Sequence, residues 1–171
     1  LFRSRTLNLL GNSTGDNEIH LALVDNPDGS PLSVKKSGSG LWQLTGANSY
    51  SGSTIIAGGV LQVQNGALPP KTNLSLSNLG IFQSSGTYNF TFGTAPGKQQ
   101  VQIAASGGGF AAVGAKMTLN FGNGTAQYFG SASLATNTLT LSSTTATDNV
   151  EIISPLNISA AGTIDVADNP D

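Results

Sequence analysis

Nine carboxylates are the residues on which hydrolytic or lyase chemistry would depend: Asp16, Glu18, Asp25, Asp28, Asp148, Glu151, Asp165, Asp168 and Asp171. Two of them converging on one face could act as general acid and base, usually with Arg or Lys nearby. They gather instead towards the two termini, and no acid lies between Asp28 and Asp148. His20 is the only histidine and stands in an alternating run beside Ile19 and Leu21. One histidine among many serines defines no Ser-His-Asp arrangement, and an outward-facing strand position is its ordinary reading. The chain is therefore read as not an enzyme, with no catalytic and no cofactor-binding residue assigned.

The segment Asp25-Asn26-Pro27-Asp28-Gly29 carries oxygen ligands at spacings that could contact Ca2+. It is not an EF-hand loop, and a turn closed by Asx hydrogen bonds explains it as well. No cofactor is expected, with Ca2+ the one candidate. Trp42 and Tyr50 could pack under a turn or offer a platform on which a sugar stacks. Sequons stand at Asn12, Asn73, Asn89, Asn123 and Asn157, in a chain so rich in Asn, Ser and Thr that this number is close to chance.

The 171 residues include only 9% charged and 6% aromatic side chains, with a formal net charge of -2. Lys35-Lys36 is the only adjacent basic pair, so there is no basic stripe for a nucleic acid. No run of 18 apolar residues is present, which argues against a membrane-spanning helix. The opening Leu1-Phe2-Arg3-Ser4-Arg5 is not a signal peptide and does not begin with Met, as expected of a processed product or an excerpt. The lack of Cys fits export.

The elements that would position these residues are short and of period two. Val60-Leu61-Gln62-Val63, Leu74-Ser75-Leu76, Tyr88-Asn89-Phe90-Thr91-Phe92, Val101-Gln102-Ile103, Met117-Thr118-Leu119-Asn120-Phe121, Leu139-Thr140-Leu141, Val150-Glu151-Ile152-Ile153 and Thr163-Ile164-Asp165-Val166 alternate. Turn signals such as Asn65-Gly66, Ser85-Gly86, Gly107-Gly108-Gly109 and Asn123-Gly124 separate them. No helical periodicity persists beyond about two turns, so the chain is all-β. The run from Leu23 to Asp28 reappears from Val166 to Asp171, sharing Asp-Asn-Pro-Asp at an offset of 143 residues. That recurrence predicts one tandem module plus an overlap, within a single segment spanning 1–171.

Residues 36–63 carry a denser pattern: Lys36, Gly38, Gly40, Trp42, Leu44, Gly46, Asn48, Tyr50, Gly52, Thr54, Gly59, Leu61 and Val63 at mostly alternate positions. The stretch closely resembles the autotransporter-associated β-strand repeat of bacterial surface proteins. The resemblance implies a single-stranded right-handed parallel β-helix, exported and displayed at the outer cell surface or released. At roughly 20–25 residues per rung, the chain would make about seven or eight rungs, about 35 Å along the axis. Gly38, Gly40, Gly46 and Gly52 are expected at corners, and Leu44, Ile55, Leu61 and Val63 are expected to point inward.

These readings predict a non-enzymatic extracellular structural or adhesive β-helix module. The alternatives are a self-assembling filament subunit and a carbohydrate-binding or carbohydrate-degrading β-helix, which would show a groove with exposed aromatics and facing acids. Expected partners are neighbouring rungs, copies of itself end to end, and a host or surface polysaccharide, with no nucleic acid and no membrane insertion within the segment. An uncovered end rung is a sheet edge ready to pair, which only Pro27 and Pro170 would locally interrupt.

Overall fold

Alternating runs too short to bury themselves singly are stable when each lies over its counterpart, and this is how the chain folds. The computed structural model describes residues 3–15, 17–64, 68–95, 99–132, 134–135, 138–157 and 162–166. Its strands are β1 (Arg5–Leu9), β2 (Glu18–Ile19), β3 (Leu32–Ser37), β4 (Leu41–Leu44), β5 (Thr54–Ala57), β6 (Val60–Val63), β7 (Leu74–Ser77), β8 (Gly80–Phe92), β9 (Gln100–Ile103), β10 (Gly108–Phe121), β11 (Gln127–Tyr128), β12 (Thr138–Leu141), β13 (Val150–Ile152), β14 (Leu156–Asn157) and β15 (Thr163–Asp165). Every strand ladder is parallel, as a β-helix requires.

One wall stacks β1, β3, β5, β7 and β9 and continues through a bridge from Ile103 to Leu134. A second stacks β2, β4, β6, β8, β10, β12 and β15, seven levels among the described residues. A third is made where β8 and β10 run on around a corner and pair as Gly86–Phe90 with Met117–Phe121, topped by β13. β11 and β14 form a separate parallel pair.

The coil is tightest at the repeat, where Val34 lies under Thr54 and Thr54 under Leu74, 20 residues apart each time. It lengthens to 31 residues between Gly108 and Leu139, more than sequence spacing predicts. Sequence reading puts a turn at Ser85-Gly86 ahead of the Tyr88–Phe92 run, but the backbone carries β8 through Gly86, at φ 88°, without a break.

Inward side chains form continuous files. Leu9, Lys36, Ile56, Leu76, Ile103 and Leu134 make one; Trp42, Leu61, Phe82, Phe110 and Leu141 make another. Phe82, Tyr88, Phe90, Phe92, Phe110 and Phe121 fill the widest coils with ring centroids 5.0–6.4 Å apart. Burying each such residue contributes about 1.5–3 kcal/mol, so apolar stacking holds the coils without disulfides. Leu44, Leu61 and Val63 point inward as expected. Ile55 does not: it pairs with the exposed Lys35, and its neighbours Thr54 and Ile56 take the interior.

Outside the second wall, the chain between β12 and β13 folds back as a strap. Ser142 N–H donates to Phe110 O and Thr147 N–H to Ala112 O. Gln83 Nε2 donates to Thr145 O at 2.7 Å while Thr145 Oγ1 donates to Gln83 Oε1 at 2.8 Å. Ala146 then packs with Ile81 and Ala111 in a small cluster of its own, together with Leu41 and Val60.

Candidate functional site

The repeat segment stitches one coil to the next, and its side chains show how. Lys36 occupies a place in the inward file between Leu9 and Ile56 and is fully buried. A lone ammonium is tolerated there because Nζ donates to the carbonyls of Ser37 (3.1 Å), Gly38 (2.7 Å) and Gly58 (3.2 Å), tying the corners of two successive coils. Burial holds its pKa below 10.5.

The corner glycines serve a common need. Gly38 has φ 79°, and a Cβ there would run into Gly11 O; at Gly40, Gly46 and Gly52 a Cβ would collide with carbonyls of Ser13, Leu21 and Leu32 in the coil below. At Gly59 it would strike Lys36 Nζ and the carbonyls of Gly38 and Gly40. The coil spacing leaves room only for hydrogen at these points.

Trp42 is half-buried against the core, and its Nε1–H donates to Leu10 O at 3.1 Å. Asn48 Oδ1 accepts from Leu23 N–H at 2.9 Å. Tyr50 is fully buried; its hydroxyl shares a hydrogen bond with Thr54 Oγ1 (2.7 Å), which meets Thr72 Oγ1 (3.0 Å), which donates to Gly52 O (2.6 Å). Burial pushes the Tyr50 phenol up to about 12 against the opposing hydrogen bond from Thr54. The two aromatics of the repeat thus sit in the packed wall.

The acids are dispersed, and Glu18, Asp25, Asp28, Asp148 and Glu151 hold local partners. Asp25 accepts from the N–H groups of Leu32 (2.9 Å) and Ser51 (2.8 Å) and from Ser51 Oγ (2.7 Å). Desolvation raises its pKa, but these three donors outweigh it and hold the carboxyl below 3.8. Asp28 accepts from Ser30 N–H (2.9 Å) and Ser30 Oγ (2.6 Å), and Asn26 Nδ2 donates to Ser30 O (2.9 Å). The stretch that sequence reading offers to Ca2+ is in this structure a turn whose carboxylates already face N–H and O–H donors. Its recurrence at Asp168, with Asp171 and Asp16, lies outside the described residues.

Glu18 lies 3.0 Å from His20 Nε2, whose Nδ1 meets Thr45 Oγ1 at 3.0 Å. Glu151 pairs with Lys116 at 2.7 Å. Among the described residues no group of three or more His, Asp or Glu side chains is placed to hold a metal.

Sequence reading missed a groove of about 310 Å3 on the outer face of the second wall. Val60 and Ile81 lie at its base, Gly59 and Leu79 on one side, and the ends of β12 and β15 with the start of the strap on the other. The only hint was Asn78-Leu79 between two alternating runs, because the strap has no period by which to be recognised.

Residues 34–63 match the family described as Passenger-associated-transport-repeat, over the segment that builds β3 to β6. Residues 34–63 are a passenger-associated-transport repeat. Over 91 residues the chain is 33% identical to the Adhesin BmaC autotransporter of Brucella suis biovar 1 (strain 1330). That alignment covers 52% of this chain and 3% of the Brucella protein, so the chain spans a small part of its relative. No solved structure matches the chain.

Proposed function

We propose that this chain is a non-enzymatic module of an extracellular passenger β-helix, displayed at the bacterial outer surface or secreted, which extends the rod and adheres to other surfaces. The observation that carries the reading is how the repeat's polar groups are used: Lys36, Asn48, Tyr50 and Thr54, the last with Thr72 beyond the repeat, are all committed to bonds within or between coils. Such a segment builds length. The adhesive part of the proposal is supported by the name of the Brucella relative and by an outer face of hydroxyls and amides suited to weak polar contacts. The recurrence of Asp-Asn-Pro-Asp supports a tandem arrangement of such modules.

The test is to immobilise the purified chain on beads and measure capture of host cells and matrix proteins, beside a β-helix of equal size from an unrelated source. Saturable capture above that control, with no turnover of polysaccharide substrates, is the expected result. Capture equal to the control ends the adhesive reading, and release of reducing sugar ends the non-enzymatic one.

A further inference from the structure

We propose that the strap, residues 142–148, is a clamp that fastens the coil of β12 to the coil of β8 across the intervening coil of β10. The upper coil then cannot peel from the stack without breaking bonds to a level with which it shares no strand ladder. This holds whatever surface the module adheres to.

The ladder lengths show where such a clamp is needed. β8 and β10 pair over residues 80–84 with 108–112 and again over 86–90 with 117–121, whereas β10 and β12 pair only over 108–110 with 139–141. A short ladder towards the end of a stack is among the first to open.

The strap is shaped and footed for the task. Ser142 follows the last residue of β12 and turns the chain out of the wall at φ 112°. That conformation is costly for a residue other than glycine and persists only where the surrounding bonds enforce it. Ser142 N–H donates to Phe110 O (2.8 Å) and Thr147 N–H to Ala112 O (3.0 Å), so both feet stand on the β10 coil. Between the feet the strap closes on itself, with Ala146 N–H donating to Ser143 O (3.0 Å) and Thr145 N–H to Ser143 Oγ (3.3 Å).

Its apex reaches one level farther. Gln83, in β8, is fully buried; its Nε2 donates to Thr145 O (2.7 Å) and its Oε1 accepts from Thr145 Oγ1 (2.8 Å). These bonds join residues 62 apart, whereas Lys36 to Gly58 and Trp42 to Leu10, which link adjacent coils, join residues 22 and 32 apart. The level between leaves the path open. Ala111 stands in register with Gln83, and its methyl group lies under Ala146, which packs on Ile81 of β8 as well. A buried carboxamide is costly to leave unpaired, so Gln83 holds the apex down.

Native-state hydrogen exchange of the purified 171-residue chain tests the clamp through the amides of β12. Gln83→Met, a change in β8, should lower protection of β12 about two- to tenfold, the worth of one or two hydrogen bonds. Gln62→Met alters the same outward file one coil lower, where Gln62 Nε2 donates to Gln43 Oε1 (3.3 Å), and should leave β12 unchanged. Thr145→Val keeps the carbonyl but removes the hydroxyl donor. It should reproduce the loss in β12 and add little to Gln83→Met, because both changes act on one pair. Should Gln83→Met fail to fold, Thr145→Val beside the exposed Thr144→Val makes the same comparison. Unchanged protection of β12 in Gln83→Met and Thr145→Val overturns the proposal. So does an equal loss from Gln62→Met or Thr144→Val, or losses that add in the double variant, since each would mean that the substitutions act through general stability.

Discussion

Lys36 shows how a single residue can be expensive and still indispensable. Its charge is buried in a file otherwise built from Leu and Ile, and only three carbonyls compensate it. Lys36→Ala should cost about 3–5 kcal/mol, since it opens a cavity and orphans those carbonyls. Lys36→Met fills the file and should cost less, about 1–3 kcal/mol. The pH dependence has a definite sign. The folded pKa lies below 10.5, so between the two values the unfolded chain binds more protons and stability rises with pH. Chemical denaturation of wild type against Lys36→Met should therefore show wild type gaining as pH climbs through that window towards 10.5. A difference that shrinks over the same range would mean the ammonium is better solvated folded than unfolded.

The same scale shows what the sequence could and could not reveal. Leu44, Leu61 and Val63 were legible as core because their alternation matches the pleat. Ile55 was misplaced because an apolar residue there looks more buriable than Thr54. Thr54 is inside because Tyr50 and Thr72 satisfy its hydroxyl, and no local pattern announces a partner 18 residues on.

Among elements, the Asp25 corner repays attention because it joins two coils through one carboxylate. Leu32 belongs to its own coil and Ser51 to the next. Asp25→Ala should cost about 1–3 kcal/mol, the usual penalty for leaving buried donors unmet. Because the folded pKa lies below 3.8, the stability from Asp25 is present above 3.8 and is lost as pH falls through the folded value. Asp25→Asn keeps an acceptor for the two N–H groups, so its acid unfolding midpoint, followed by circular dichroism, should be less sensitive to pH below 3.8. An unchanged acid profile would show that the corner does not report on Asp25. The strands around this corner could be read from their period, but the strap could not: Ser142–Asp148 is placed by long-range pairs such as Gln83 with Thr145, and loops without periodicity carry no such signal.

At the scale of the whole molecule, a stack in which each coil touches only its neighbours should lose stability from its ends inward. β5, β6 and β7 are paired on both sides, whereas β2 pairs only with β4, β14 only with β11 and β15 only with β12. Native-state hydrogen exchange should show greatest protection from Thr54 to Gln83 and across Gly108–Ala112, with fading protection at Glu18–Ile19, Leu156–Asn157 and Thr163–Asp165. Core substitutions then separate local from shared stability. Phe110 touches Phe82, Phe90 and Phe121, so Phe110→Ala should cost about 3–5 kcal/mol and depress protection in β8 and β10 together. Leu9→Ala, in the first coil, should depress β1 and β3 and leave β8 unchanged. Equal loss of protection everywhere from either substitution would mean that the chain unfolds as one unit, and the picture of coils stabilised by their nearest neighbours would have to be given up.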